Sequence, residues 1–304
     1  MDEYKFLEKI GRGTHGTVYL LETIQKMPRY VVCKSIIHKY KKYALKESLI
    51  LSRLSHKRII RFVESIASEE YIFIIMEYAN HGTLEIMLEY FRTNGYLINN
   101  KIVWSMLAQL IDALSYLHGQ GVIHRDIKPS NILINQFFLG TCEVLEFKIC
   151  DFSLAINNKH KANSEKNNAC KTPVGTPFYM APEMTLRREY DSSVDVWGLG
   201  VTIYEMLSHE KPFAGDTRTQ LYRCICDNEI TKIPQCKDNK LTSIVLNCLA
   251  KSNRINSYEL RKIERIKYYI TLIELNIRDR QILNLEKRVK ELEMLASKNK
   301  VGCE

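Results

Sequence analysis

Strand-like alternation marks the start of the chain and helical spacing most of the rest. Lys5-Phe6-Leu7-Glu8-Lys9-Ile10 alternates, a glycine-rich turn follows, and Thr17–Leu21 and Tyr30–Lys34 are β-prone runs. Residues 43–54 change to helical spacing through Leu45, Leu49, Leu51 and Leu54, and Tyr71–Met76 is a short bounded apolar run that reads as a buried strand. From Leu84 onward helices dominate. The clearest is Ile102–His118, with Val103, Met106, Leu107, Leu110, Leu114 and Leu117 on one face. The pattern predicts a small strand-rich part and a larger helical part, joined near Glu77–Asn80. Two stretches stand apart. Asn157–Lys171 is rich in Asn and Lys, lacks periodicity and is predicted to be mobile. Ile282, Leu285, Val289 and Leu292 follow a 3-4-3 spacing over barely two heptads, which suits either a short coiled coil or a helix packed back on the body.

Composition narrows the class. A chain of 304 residues with 45% apolar content can bury a sizeable core in one large domain or in two parts sharing a cleft. No run of eighteen apolar residues occurs, and Met1-Asp2-Glu3-Tyr4-Lys5 is no signal peptide, so the chain reads as soluble and intracellular, cytoplasmic or nuclear. The nine cysteines are then reduced thiols, and Cys224 and Cys226 have no histidine at a metal-ligand spacing. Of the net charge of +9, residues 251–304 contribute +5, from thirteen Lys/Arg against eight Asp/Glu. Acids interleave throughout that tail, which makes it a solvated mixed-charge helix rather than a nucleic-acid or membrane module.

The chemistry lies in His124-Arg125-Asp126-Ile127-Lys128-Pro129-Ser130-Asn131 and, twenty residues after Asn131, in Asp151-Phe152-Ser153. Asp126 can accept a hydroxyl proton, Lys128 can neutralise a transferring phosphate, and Asn131 and Asp151 can hold Mg²⁺ between phosphates. Phosphoryl transfer rests on such positioning and charge neutralisation. Upstream, Gly11-Arg12-Gly13-Thr14-His15-Gly16-Thr17-Val18 lies between two predicted strands. Glycines there let backbone N–H groups approach phosphates. Dinucleotide folds share this motif but open a helix after it, and Thr17-Val18-Tyr19 is a poor helix start. His15 reads as a solvent-facing loop residue.

These motifs resemble the eukaryotic protein kinases of the serine/threonine type, whose catalytic loop reads H-R-D-x-K-x-x-N and whose metal loop reads D-F-G. Ser153 stands where that family has Gly. The resemblance implies an α+β, bilobal fold over residues 1–268, with a β-rich lobe at about 1–78, a helical lobe at about 79–268, ATP between them, and a basic helical tail at 269–304. It implies that ATP and Mg²⁺ are the cofactors. Ile10, Gly11, Gly13, Gly16, Val18, Val32, Met76, Glu77, Ala79 and Leu133 would form the nucleotide site, with Met76 as gatekeeper and Glu77 and Ala79 offering main-chain groups to adenine. Lys34 would hold the α- and β-phosphates and be oriented by Glu47, although the thirteen-residue interval between them is shorter than the family norm. Asp126 and Lys128 would be catalytic and Asn131 and Asp151 the metal ligands. Cys150 would be a packed, inert thiol. The interval from Asn131 to Asp151 is longer than usual and is expected to form a bulged hairpin behind the catalytic cleft.

Gly175-Thr176-Pro177-Phe178-Tyr179-Met180-Ala181-Pro182-Glu183 matches the family's substrate shelf. Thr176 would bridge Asp126 and Lys128, Glu183 would pair with Arg254, and Asp195 would hold the catalytic-loop backbone. Thr172 is the expected activating phosphosite, modified by an upstream kinase, with Arg125 receiving the phosphate. Neither Thr83 nor Ser130 is acidic, which disfavours a demand for upstream arginine. Further resemblances, through residues 193–197 and 221–234 and through Val32 and Thr172–Thr176, are to the Polo-like and NIMA-related cell-cycle kinases. Proteins are the implied substrates, and self-association through the C-terminal helix follows if its heptads pair. Ser153 leaves a second reading, a pseudokinase serving as an ATP-binding or scaffold module.

Overall fold

The computed structural model describes residues 1–13, 16–24, 28–139, 141–157, 174–234 and 236–301. His15, most of the predicted mobile stretch and Thr172 lie outside them. Five antiparallel strands form the small lobe: β1 (Tyr4–Arg12), β2 (Gly16–Thr23), β3 (Tyr30–Ile37), β4 (Phe62–Ala67) and β5 (Tyr71–Glu77), in the order β1-β2-β3-β5-β4. β3 sits at the centre, with Val18 of β2 on one side of Lys34 and Ile74 of β5 on the other. Gly16 opens β2 where the backbone runs against β3, and a Cβ there would collide with the Ser35 carbonyl oxygen.

Helix α1 (Lys41–Leu51) packs beneath this sheet. Of the leucines whose spacing predicts this helix, Leu51 is buried, but Leu45 and Leu49 are 49% and 53% exposed, while Ala44, Glu47, Ser48 and Ile50 are buried. The cause is Glu47. At about 100° per residue, turning position 47 inward carries 45 and 49, two residues to either side, about 200° away.

The larger lobe holds α2 (Leu84–Thr93), α3 (Asn100–Gly119), β6 (Val122–Ile123), β7 (Ile132–Leu139), β8 (Cys142–Ile149), β9 (Ile156–Asn157), α4 (Pro182–Thr185), α5 (Ser193–Ser208), α6 (Arg218–Asp227), α7 (Asn239–Cys248), α8 (Ser257–Arg261) and α9 (Glu264–Val301). The six predicted inner positions of α3 are all buried, and Trp104, Ala108, Ile111 and Ala113 are buried with them, so α3 is a central core helix rather than an amphipathic surface one. α5 is buried along almost its whole length. The expected bulge between Asn131 and Asp151 is absent: β7 and β8 pair one for one from Ile132↔Ile149 to Leu139↔Cys142. The extra length extends both strands equally, so no residue is left over to form a bulge. The hairpin is fastened to α3, where Gln109 donates to the Leu145 carbonyl at 3.1 Å and accepts from Phe147 N–H at 3.0 Å.

α9 runs unbroken across residue 268. Ile266 and Ile273 are buried, and Arg280 lies 4.0 Å over the Phe137 ring of β7. Ile282 and Leu285 are exposed; the side chains of Val289 and Leu292 lie outside the description. No helix among the described residues is long and apolar enough to cross a membrane.

The rotation of α1 has a direct test in chemical denaturation. Leu51→Ala should cost about 2–5 kcal/mol, as for a fully buried leucine. Leu49→Ala should cost within about 0.5 kcal/mol. Equal losses would contradict the observed face.

Candidate active site

The site begins with a lysine placed by a central strand. Lys34 is buried, and its Nζ lies 2.8 and 2.9 Å from the two carboxylate oxygens of Glu47 and 2.8 Å from Asp151 Oδ1. The short Lys34–Glu47 interval closes because a single 3₁₀ turn, His38–Tyr40, leads from β3 straight into α1. Burial works against the Lys34 ammonium, yet the Glu47 and Asp151 carboxylates outweigh it and hold its pKa above the ordinary lysine value. Burial likewise opposes the Asp151 carboxylate, but the charge and hydrogen bond of Lys34 prevail and hold it well below the usual carboxylate range. Glu47 moves the other way: burial raises it, Asp151 adds to the rise, and Lys34 and the Phe152 N–H oppose it.

Asp151 takes a left-handed backbone, φ 60°, ahead of a 3₁₀ turn over Phe152–Leu154. Ser153 N–H donates to Asp151 Oδ1 at 3.3 Å, and Ser153 is not among the residues of positive φ. The strained position in this turn is therefore 151, and 153 does not require glycine.

A second group of side chains surrounds Asp126. Thr176 donates to Asp126 Oδ1 from its N–H at 2.9 Å and from its hydroxyl at 3.1 Å. Lys128 Nζ lies 2.7 Å from Asp126 Oδ2 and donates to Thr176 Oγ1 at 2.5 Å. Asn131 donates from its amide nitrogen to the Asp126 carbonyl and to Oδ2, at 2.9 and 3.0 Å. The loop is held from below by Asp195, fully buried in α5, which accepts from His124 N–H at 2.9 Å and Arg125 N–H at 2.8 Å. Those two bonds fix a backbone in which Arg125 has φ 70°. Glu183 and Arg254 form a two-pronged ion pair at 2.7 and 3.1 Å.

A cleft of about 440 Å³ joins the two groups. Ile10, Gly13, Val18, Val32, Lys34, Glu47, Met76, Glu77, Ala79, Lys128, Asn131, Leu133 and Asp151 all line it. The protein kinase domain family matches residues 4–267. This chain belongs to the protein kinase family. Among its relatives are the serine/threonine-protein kinases CLA4 of Candida albicans and STE20 of Candida glabrata, each 30% identical over 252 residues, or 81% of this chain. Those alignments cover 24% and 26% of the relatives' length, so the chain spans about a quarter of them. Serine/threonine-protein kinase Nek5 of Mus musculus is 27% identical over 245 residues, 81% of this chain and 37% of its own.

Within the kinase cleft the sequence-predicted residues divide by position. Gly11 and Gly16 do not line it; Gly11 pairs with Val18 across β1 and β2, and Gly13 N–H donates to the Gly16 carbonyl at 2.8 Å, so these two glycines build the turn. The Glu77 carboxylate accepts from Lys148 Nζ at 2.9 Å and from Arg61 N–H at 2.8 Å. Arg125 is already engaged, donating to the Leu154 carbonyl at 2.7 Å and to Tyr190 Oη at 2.9 Å. Burial pushes the Cys150 thiol pKa well up, which keeps it protonated and unreactive.

For Mg²⁺, the donor set is an amide and a carboxylate. The loop holds Asn131 by its amide nitrogen, leaving the oxygen as the donor, and Lys34 and Ser153 engage only Oδ1 of Asp151. Two hard oxygen ligands suit a cation that takes its remaining ligands from phosphates and water. No cluster of three or more His, Cys, Asp or Glu suited to a metal occurs among the described residues.

Sequence reasoning missed several supports. His118 Nε2 lies 3.0 Å from Asp195 Oδ2, and His124 Nε2 lies 3.0 Å from the Cys150 carbonyl. Neither contact has a spacing signal, because each joins distant segments. Arg12, Ile60, Tyr78, Gly82, Thr83, Ile86, Ser130 and Cys150 complete the cleft wall.

The charge balance at Asp151 is testable by pH. A carboxylate with a depressed folded pKa stabilises the protein above its unfolded pKa, and that contribution is lost as pH falls through the folded value. In Lys34→Met the opposing burial remains, so carboxyl-carbon NMR should find Asp151 titrating above its ordinary range. An Asp151 that stays depressed would show that another group holds it.

Proposed function

We propose that this chain is a Mg²⁺- and ATP-dependent protein kinase that phosphorylates serine and threonine hydroxyls of proteins. The observation that carries the reading is Asp126, whose carboxylate is oriented by Thr176, Lys128 and Asn131, the last two of which line the cleft that also holds Lys34 and Asp151. Asp126 takes the proton of the attacking hydroxyl as that oxygen bonds to the γ-phosphorus. The bond to the β-phosphate oxygen breaks, and ADP leaves with the bridging oxygen. Lys128 neutralises the phosphoryl group in transit, and Lys34 holds the α- and β-phosphates. Asn131 and Asp151 hold Mg²⁺, which supplies charge neutralisation at the phosphates. The Glu183–Arg254 pair supports the shelf on which a protein substrate rests, and the names of the relatives support serine and threonine as acceptors.

The finer assignments rest on resemblance. A cell-cycle or related signalling role draws on the Polo-like and NIMA-related likeness and on the match to Nek5. Thr172, phosphorylated by an upstream kinase, would bring a phosphate to Arg125 and order the segment before it. The exposed Ile282 and Leu285 support self-association through α9. A cytoplasmic or nuclear location is in keeping with these roles. Against the pseudokinase reading, the Lys34–Glu47–Asp151 contacts are complete and the backbone at 153 accommodates serine.

With labelled ATP, Mg²⁺ and a generic protein substrate, wild type should transfer phosphate. Lys34→Met and Asp126→Asn should each lower the rate by about 10²–10³ or more, the scale of one lost positioned charge. Ser153→Gly should change it little. A wild type that is inert even when Thr172 is phosphorylated, and that gains activity on Ser153→Gly, would establish the pseudokinase instead.

A further inference from the structure

Another cavity in the kinase exceeds the nucleotide cleft in volume. This space of about 810 Å³ lies across a wall it shares with that cleft, since Ile60 and Glu77 line both. Segment 54–61, α3, Lys148 of β8 and α8 supply most of its lining, and α9 closes it with Ile270, Ile273 and Glu274. Those three residues lie beyond residue 267, where the family match ends, so this wall belongs to the chain's own extension.

Its charges are unevenly satisfied. Glu77 is committed to Lys148 and to Arg61 N–H, and Asp112 to Arg261 at 2.8 Å and His56 at 3.3 Å. Glu274 is exposed on α9. Arg58 is only 4% exposed, and its one ion-pair partner among the described residues, Glu146, stands at 3.4 Å. Burial pulls the Arg58 pKa down despite that carboxylate and the charges of Asp112 and Glu274. Lys57 and Arg61 are exposed and make no ion pair among the described residues. Beside these cations the wall is apolar and aromatic: His56 stacks on Tyr116 at 4.9 Å, and Ile270 and Ile273 face the same space. Beyond that one long contact Arg58 has only the more distant charges of Asp112 and Glu274, so its guanidinium can take a closer anion, and the volume falls within the range of small-molecule sites.

We infer that this cavity is a second ligand site, for a small organic anion with an aromatic or aliphatic body and one phosphate or carboxylate. The anionic group sits against Arg58, Lys57 and Arg61, and the body lies along Tyr116, Ile270 and Ile273. Because Ile60 and Glu77 wall both spaces, occupancy changes nucleotide affinity, and nucleotide changes occupancy by the same factor. Binding itself does not depend on the kinase assignment.

The test uses the full chain and phenyl phosphate, with benzyl alcohol as the neutral body and inorganic phosphate as the bare anion, read by calorimetry and by NMR shifts at α3 and α9. Phenyl phosphate should bind saturably and more tightly than either control, and binding should persist in Lys34→Met, which disables phosphate binding in the nucleotide cleft. The double variant Lys57→Glu, Arg61→Glu changes exposed residues and should keep the fold while weakening binding by about tenfold or more, the scale of lost contacts to charged groups. Ile273→Trp should block binding by filling the space. The inference is overturned if phenyl phosphate fails to bind saturably, binds equally to the double variant, or loses its binding in Lys34→Met.

Discussion

One buried cation between two carboxylates organises the small lobe and ties it to the larger one. Lys34 comes from the middle strand, Glu47 from α1 and Asp151 from the turn after β8, and their oxygens lie within 2.9 Å of a single ammonium. Charges removed from water are tolerated only when paired and hydrogen-bonded, and breaking such a group leaves an uncompensated charge. The rotation of α1 follows from it. With Glu47 turned inward, Leu45 and Leu49 must face solvent, and the helix is held as much by its carboxylate as by its apolar contacts.

The larger lobe repeats the device with a different partner. Asp195, buried in α5, accepts two backbone N–H groups from the catalytic loop and faces His118, so a loop with a left-handed residue at Arg125 is held rigidly. From that fixed backbone Lys128 and Asn131 reach the cleft, and Asp126 is bonded to both of them and to Thr176. For the proposed phosphoryl transfer the arrangement is preorganised: donors and charges are already in place, so little reorganisation would be left for the chemical step.

Much of this was legible in the residues themselves. Strand alternation located β1, β-prone runs located β2 and β3, a bounded apolar run located β5, and helical periodicity located α3. The spacing of Lys34, Asn131 and Asp151 marked side chains that the fold brings to a single cleft, with Asp126 bonded to Asn131 beside it. What was not legible depended on contacts between distant segments. Leucine spacing located α1 but not its inner face, because periodicity counts leucines and cannot see that a glutamate is wanted inside. The hairpin was expected to bulge because length alone does not say how two strands will pair. His118 and the α9 wall carry no spacing signal, since their partners are distant in sequence.

The central claim is that Asp151 and Asn131 stand ready to hold the cation of a bound nucleotide, with serine at 153 leaving that arrangement intact. Mn²⁺ bound with ATP broadens NMR resonances steeply with proximity, and so reports where the cation lies without requiring turnover. The account predicts strong broadening of the Asn131 and Asp151 resonances on adding Mn²⁺·ATP, reversed by excess Mg²⁺. Broadening confined to other residues, or none at all with ATP bound, would contradict it.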